Sequence, residues 1–356
     1  MKICILGDTH FGARGDSLDF HAYFKKFYDE VFFPYLLKYK INIIFQLGDL
    51  FDRRKFINFN SLYQAKKYFF DVCQQNNIQV YALVGNHDIA YKNTLEVNSP
   101  SLLLKDYDNV SIIEDFYSAE FHGVSMDFIP WLCDENESAI LQKMKDSKSQ
   151  ICFGHFEIAG FEMDKGIVCD IGINKSILDK YDVVLSGHFH HKSTKDNITY
   201  VGTPYEMTWA DYQDAKGFHI FDTTNREMEF VRNPYDMFVK IFYDDTKQDF
   251  EWWKGYNFNS LKNTYVKVVV VNKQNPYLFD HVIDSVYKAS ASDIAIVEDF
   301  NDELLNNDDD LVDQAEDTIT ILNKYIDNLQ LDIEADKLKG IMRELYVEAL
   351  NTEIAE

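Results

Sequence analysis

Five short apolar runs in this chain each stop at a glycine and then at residues able to bind a cation. They are Gly7-Asp8-Thr9-His10, Gly48-Asp49, Gly85-Asn86-His87-Asp88, Gly154-His155 and Gly187-His188-Phe189-His190. Carboxylate and amide oxygens mixed with imidazole nitrogens suit divalent manganese, iron, zinc or magnesium. A carboxylate can bridge two cations, and two metals ~3.5–4 Å apart can activate a water and clamp a phosphoryl group in line. The chemistry implied is hydrolysis of a phosphate ester. Taken singly, each piece has a bland reading: Asp-x-His as a turn or surface feature, Gly-Asn-His-Asp as a tight turn, Gly-His-x-His as a satisfied loop pair. Their shared position at strand ends makes the set specific.

Such convergence needs a sheet. Lys2–Leu6, Ile41–Leu47, Ile78–Val84, Gln150–Phe153 and Asp182–Leu185 read as buried strands, and Leu18–Lys40 and Ser61–Gln75 as helices. Strands alternating with helices imply an α/β protein with a covered sheet, and ligands of such sheets collect at the carboxyl ends of the strands. Glycine there lets the chain turn sharply and approach a ligand closely. The pattern changes after Asn233-Pro234. Residues 235–300, with a strand at Tyr265–Val271 and a helix near Phe279–Ala289, read as a small α/β module. Asn301–Asp313 reads as a linker, and Leu322/Ile326/Leu329 with Leu338/Ile341/Leu345 as two short amphipathic helices.

Composition limits the setting. The 356 residues carry a formal net charge of −24, unusual for a protein that meets nucleic acid. From residue 292 to the end, nineteen acids against four bases contribute −15, leaving −9 for the rest. An acidic tail fits a protein partner better than DNA. Five cysteines, with no CxxC pair, exclude a zinc ribbon or a disulfide framework and are expected to be free buried thiols in a reducing compartment. The start turns polar at Asp8, too early for a signal peptide, and no run of eighteen apolar residues spans a bilayer. A cytoplasmic location without membrane contact is expected.

The order Asp-x-His, Gly-Asp, Gly-Asn-His-Asp, His, Gly-His-x-His resembles that of the calcineurin-like metallophosphoesterases over about residues 1–232. Ile5–Gly12, Gln46–Asp52, Val84–Asp88, Ser186–His190 and Tyr200–Pro204 resemble the DNA repair nuclease branch, called SbcD in bacteria and Mre-eleven in eukaryotes. Ile129–Asn136 and Gly154–Glu157 are similar to the nuclease subunits of phage recombination endonucleases. The resemblance implies a four-layer αββα sandwich at 1–234, a capping module for DNA recognition at 235–300 and a partner-binding tail at 301–356. It implies one metal held by Asp8, His10 and His190, a second by Asn86, His155 and His188, and Asp49 bridging them. Manganese is the favoured ion, although magnesium, iron and zinc accept the same ligands. His87 would act at the scissile phosphate, and Asp88 would support its loop. The partners implied are DNA, an SbcC/Rad-fifty-type coiled-coil ATPase bound through the C-terminal helices, and a second copy met through helices such as Ser61–Phe70. The activity implied is exonuclease and endonuclease cleavage of DNA.

Other polar groups carry weaker expectations. Arg53, Arg54 and Lys55 are either DNA phosphate contacts or a solvated loop. Asp52 stands where some relatives of this branch place a histidine, so a phosphate contact from that position is in doubt. His191 is read as supporting or exposed, and His21, His122, His219 and His281 as ordinary residues. Tyr205–Tyr212 is either a stacking surface or core. Two rival functions remain. A protein phosphatase or cyclic-nucleotide phosphodiesterase is disfavoured by Gly48-Asp49-Leu50-Phe51-Asp52-Arg53-Arg54, by Asp88 where phosphatases have glutamate, and by the length beyond residue 235. A non-catalytic scaffold is disfavoured because every ligand position is filled.

Overall fold

Two six-stranded sheets lie face to face in this computed structural model, which describes residues 1–298 except 165–166 and 170–171. The first sheet runs in the order Met228–Arg232, Gly217–Asp222, Lys2–Leu6, Ile43–Gln46, Gln79–Leu83, Val110–Ile113. Its last four strands are mutually parallel, as expected where helical crossovers join them. The second sheet runs Ser193–Lys195, Ile198–Tyr200, Val183–Gly187, Ile151–His155, Val124–Ile129, Tyr117–Phe121. Alternation along each strand decides which layer its side chains join. Ile3, Ile5, Phe45 and Leu83 of the first sheet meet Met126, Phe128, Phe153 and Leu185 of the second in a sealed inter-sheet core.

The residues between those positions face outward and take a helix each. Cys4, Leu6, Ile44 and Val80 pack under the helices that begin at Leu18 and Phe59. Cys152, Val184 and Ile198 pack under the helix Glu137–Asp146 through Ile140 and Met144. The layers are therefore helix, sheet, sheet, helix, the αββα sandwich expected. All five cysteines are buried and none is in a disulfide. Each of the two long helices contains one wide turn, at Tyr28–Phe32 and Lys66–Phe70. These turns face one another, with Tyr28 and Tyr68 stacked at 5.6 Å, and close an aromatic cluster over Phe11.

Residues 238–297 hold a parallel three-stranded sheet in the order Phe238–Asp244, Tyr265–Asn272, Asp293–Val297. The helix Pro276–Lys288 covers it, around a core containing Trp253, Val268 and Val282. Met237 and Phe238 reach back into the aromatic cluster of the sandwich, and Met1–Glu298 forms one compact unit. The linker expected at 301–313 and the two helices expected beyond it lie outside the described residues. Among the described residues no helix is long and apolar enough to cross a membrane.

His219 is a built-in acid sensitivity of this fold. It is buried on Gly217–Asp222, with Nε2 3.1 Å from the Val201 carbonyl and, among the described residues, no hydrogen-bond partner for Nδ1. Burial lowers its pKa from 6.5 to about 4. The unfolded chain therefore takes up a proton below about pH 6.5 that the folded chain resists until about pH 4. Stability is lost across that window as pH falls, by about 3 kcal/mol from this group. His219→Leu should flatten the decline of urea midpoints between pH 6.5 and 4. A decline as steep as in wild type would exclude His219 as a cause.

Candidate metal centre

The five glycine-ended strands do converge. Gly48 has φ +100°, and a side chain there would meet His155 Nδ1 at 2.3 Å. At Gly85 a Cβ would come within 2.2 Å of Asp49 Oδ1. Only glycine lets these loops close to such distances. The strain continues into the ligands. His10 (φ 40°), Asp49 (φ 53°) and His188 (φ 87°) all occupy positive φ, a cost tolerated where the surroundings fix a functional geometry.

Asp49 sits at the middle. Its Oδ2 lies 3.8 Å from His10 Nε2 and 3.4 Å from His155 Nε2. On one side, His10 Nε2 faces His190 Nε2 at 3.1 Å, and His190 Nε2 lies 3.8 Å from Asp8 Oδ2. On the other, Asn86 Oδ1 faces His155 Nε2 at 2.9 Å and His188 Nδ1 at 3.0 Å. Among the described residues Asp8, His10 and His190 cluster, as do Asp49, His155 and His188, and His10 clusters a second time with Asp52 and His87.

His155 Nδ1 lies 2.6 Å from the Leu47 carbonyl, which turns its Nε2 to Asn86 and Asp49. His10 Nδ1, 3.3 Å from Asp52 Oδ1, turns its own Nε2 to His190 and Asp49. Ring nitrogens, an amide and carboxylates are thus gathered within a few ångströms of one another. Turning the Asn86 amide over would bring its NH2 to the two rings and its oxygen within 3.3 Å of Arg54 Nη2, which suits a centre without cations. The orientation with Oδ1 inward is the one a cation requires. The residues present therefore fit divalent metal ions, with nitrogen and hard oxygen donors mixed.

Charge tells the same story. Burial alone would lower His10, but Asp52 and Asp49 raise it to about 9. Burial likewise opposes, and Asp49 and Asp8 reverse, the shift of His155 to about 9. Asp8 is pushed up to about 6 by burial and by Asp49, against the pull of His155. Despite its own burial, Asp49 is held well below the usual carboxylate range by His155, His87 and His10. Burial lowers His188 and His190. Protons occupy the centre when cations do not.

Supporting bonds fix the loops. His188 N–H donates to both oxygens of Asp8, at 3.1 and 3.0 Å. Asp88 is fully buried and accepts from the N–H groups of Gly85, Leu50 and Phe51, tying two ligand loops together. His87 N–H donates to Asp49 Oδ1 at 2.7 Å, and its Nδ1 lies 2.7 Å from the Asp52 carbonyl. Its ring stands edge-on to His10, 4.8 Å away.

Arg53 is drawn aside by Asp16 (3.8 Å) and the Phe56 ring, Lys55 is exposed, and half-buried Arg54 lies near Asp49. Tyr205 is core: its ring stacks on Phe24 at 3.7 Å and its hydroxyl donates to the Thr9 carbonyl. Trp209 packs on Phe238 with Lys267 over its face. His21 is buried against Ser61 and Tyr68, and His191 Nδ1 is 3.0 Å from Asp214. His122 and His281 are exposed. The sequence reading missed Lys216, which is buried and donates to the His190 carbonyl at 2.8 Å. Nothing in its spacing marks it.

With this geometry in place, a family model described as calcineurin-like phosphoesterase matches residues 1–192. The chain is 30% identical to "Exonuclease subunit 1" of Enterobacteria phage T4, over 98% of this chain and 99% of the other. It is 24% identical to "DNA double-strand break repair protein Mre11" of Nanoarchaeum equitans, covering 62% of this chain and 66% of that one. To the protein of the same name from Methanocaldococcus jannaschii it is 25% identical, over 64% of each.

Proposed function

The chain belongs to the calcineurin-like phosphoesterases, metal-dependent enzymes, and from that premise we propose that it is a DNA nuclease working with two manganese ions. The observation that carries the reading is the cluster of imidazole and oxygen donors gathered about Asp49. Similarity to an exonuclease subunit along nearly the whole chain, and to two double-strand break repair proteins, supports DNA as the substrate. Asp8, His10 and His190 would hold one metal, Asn86, His155 and His188 the other, with Asp49 between. Bound there, the metals would supply a nucleophile at neutral pH and charge to stabilise the transferring phosphoryl group.

The remaining work falls to the chain's own groups. His87 keeps one ring nitrogen for the substrate and would stabilise or protonate the oxygen that leaves. Half-buried Arg54 supplies a positive charge beside the centre for a phosphate oxygen. With a net charge of −24, little else attracts DNA. We place the sandwich at 1–234, a capping module at 235–300 that shapes the DNA groove, and a tail at 301–356 that docks on a coiled-coil ATPase of the SbcC/Rad-fifty type. A homodimer through the Ser61–Phe70 helix, working inside the cell, completes the reading.

End-labelled linear DNA tests it. Manganese should support cutting, a chelator should abolish it, and added manganese should restore it. DNA left intact while a generic phosphodiester is hydrolysed would mean another substrate, or dependence on the ATPase. Equal cutting with and without chelator would end the metal reading.

A further inference from the structure

Beside the second group of ligands lies a recess of about 280 Å³ that none of the steps above uses. His155, Trp131, Leu132, Glu157 and Ile173 are among its walls, and Glu137 also lines it. The volume falls just below the roughly 300 Å³ at which small-molecule pockets begin, room for one flat ring system but not for a base pair. Trp131 is half-buried, its ring centroid 5.0 Å from that of His188 and 5.9 Å from that of His155. The strand Val124–Ile129 delivers it there, and Trp131 N–H donates to the Val84 carbonyl one residue before Gly85. An indole is thus fixed against the ligands themselves.

Glu157 supplies the polar edge. Its Oε1 lies 3.9 Å from His188 Nε2, an ion-pair contact with a proposed ligand. Its backbone is pinned by Ile173 N–H at 2.9 Å, and Gly172 (φ +104°) passes so close that a Cβ would meet the Glu157 carbonyl at 2.3 Å. A carboxylate repels a phosphate but accepts from the ring and amino N–H groups of a nucleobase. An aromatic face beside a carboxylate acceptor, opening on a phosphate-handling centre, suits a single unpaired base.

We propose that Trp131 and Glu157 form a nucleobase subsite that seats the unpaired base next to the phosphate being cut. The proposal rests on the phosphodiesterase reading above. A base stacked on Trp131 would hold its phosphate at the cation ligands, and a paired base would first have to leave its duplex.

The test measures inhibition of manganese-supported methyl p-nitrophenyl phosphate hydrolysis, a substrate without a base. Deoxyribose 5-phosphate is compared with the 5′- and 3′-monophosphates of deoxyguanosine. In wild type at least one nucleotide should bind about tenfold more tightly than the sugar phosphate. Trp131→Ala should erase that advantage while leaving the sugar phosphate unchanged, and Trp131→Phe should keep most of it. Should the alanine variant not fold, Trp131→Leu fills the wall without a stacking face and is expected to behave alike. No base advantage in wild type overturns the subsite. So does equal weakening of nucleotide and sugar phosphate, since Trp131 would then only prop His188. Absence of hydrolysis by wild type overturns the phosphodiesterase reading and the subsite together.

Discussion

His87→Ala is expected to slow phosphodiester hydrolysis by about 10²–10⁴-fold, the usual contribution of a positioned acid or base, while leaving metal content unchanged. The backbone of His87 serves the centre through its N–H to Asp49 Oδ1, a bond any residue at that position keeps. Its side chain is anchored at one end only, by Nδ1 on the Asp52 carbonyl. Nε2 is left for the substrate, and burial lowers the ring's pKa. Alanine therefore removes the substrate contact and the edge-on contact with His10, and leaves the backbone bond to Asp49 in place. Elemental analysis of purified wild type and variant should give equal metal per chain, and kcat should fall far more than KM rises. A variant with unchanged kcat would remove His87 from the mechanism. Loss of metal would recast it as a ligand.

Much of this arrangement was legible before any coordinates. Five strands ending in glycine and a donor residue point to one shared edge; they come from both sheets, three from the first and two from the second, and Asp49, His155 and His188 lie together where those strands end. The strand Lys2–Leu6 and the helix from Leu18 to Tyr39 were also plain from apolar runs and helical spacing. Other features were hidden for physical reasons. A wide helical turn such as Tyr28–Phe32 keeps helical backbone angles, so composition does not reveal it. The stacking surface considered for Tyr205 is instead core, because the hydroxyl found the Thr9 carbonyl across 196 residues of sequence. Asp52 does not copy the histidine of some relatives: its carboxylate turns to His10 while its carbonyl holds His87. Long-range pairing of this kind leaves no local periodicity.

Lys216 is the furthest case. Nothing in Asp211-Tyr212-Gln213-Asp214-Ala215-Lys216 distinguishes it from a solvated turn, yet it is only 3% exposed. Its Nζ lies 2.5 Å from Asp211 Oδ1 and 2.9 Å from Asp214 Oδ2, and donates to the His190 carbonyl. Asp211 in turn accepts from the N–H groups of Met207 and Thr208, and Asp214 faces His191. One ammonium thus joins the Met207–Asp211 turn to the loop carrying a proposed ligand. Burial opposes its charge, but Asp211 and Asp214 raise its pKa above that of a free lysine. Asp214, burial notwithstanding, is held far below the usual range by His191 and Lys216. A carboxyl depressed in the folded state stabilises above its unfolded pKa of about 4 and loses that contribution in acid.

Lys216→Met removes the cation and strands two carboxylates, a change that typically costs about 3–5 kcal/mol. For a unit of this size the expected fall in Tm is about 6–20 °C. The His190 side of the centre should also lose metal first, because the His190 carbonyl would lose the Lys216 ammonium and keep the Thr203 N–H. Wild type should then bind two metals per chain, and the variant one tightly and one weakly, by titration calorimetry below its Tm. Lys216→Arg keeps the charge but carries a larger head into a filled site, and should fall between. An unchanged Tm in Lys216→Met would mean that the two carboxylates are already relieved by water. A lowered Tm with both metals still tight would make Lys216 a clamp of the fold alone, leaving His190 to be held by its neighbours.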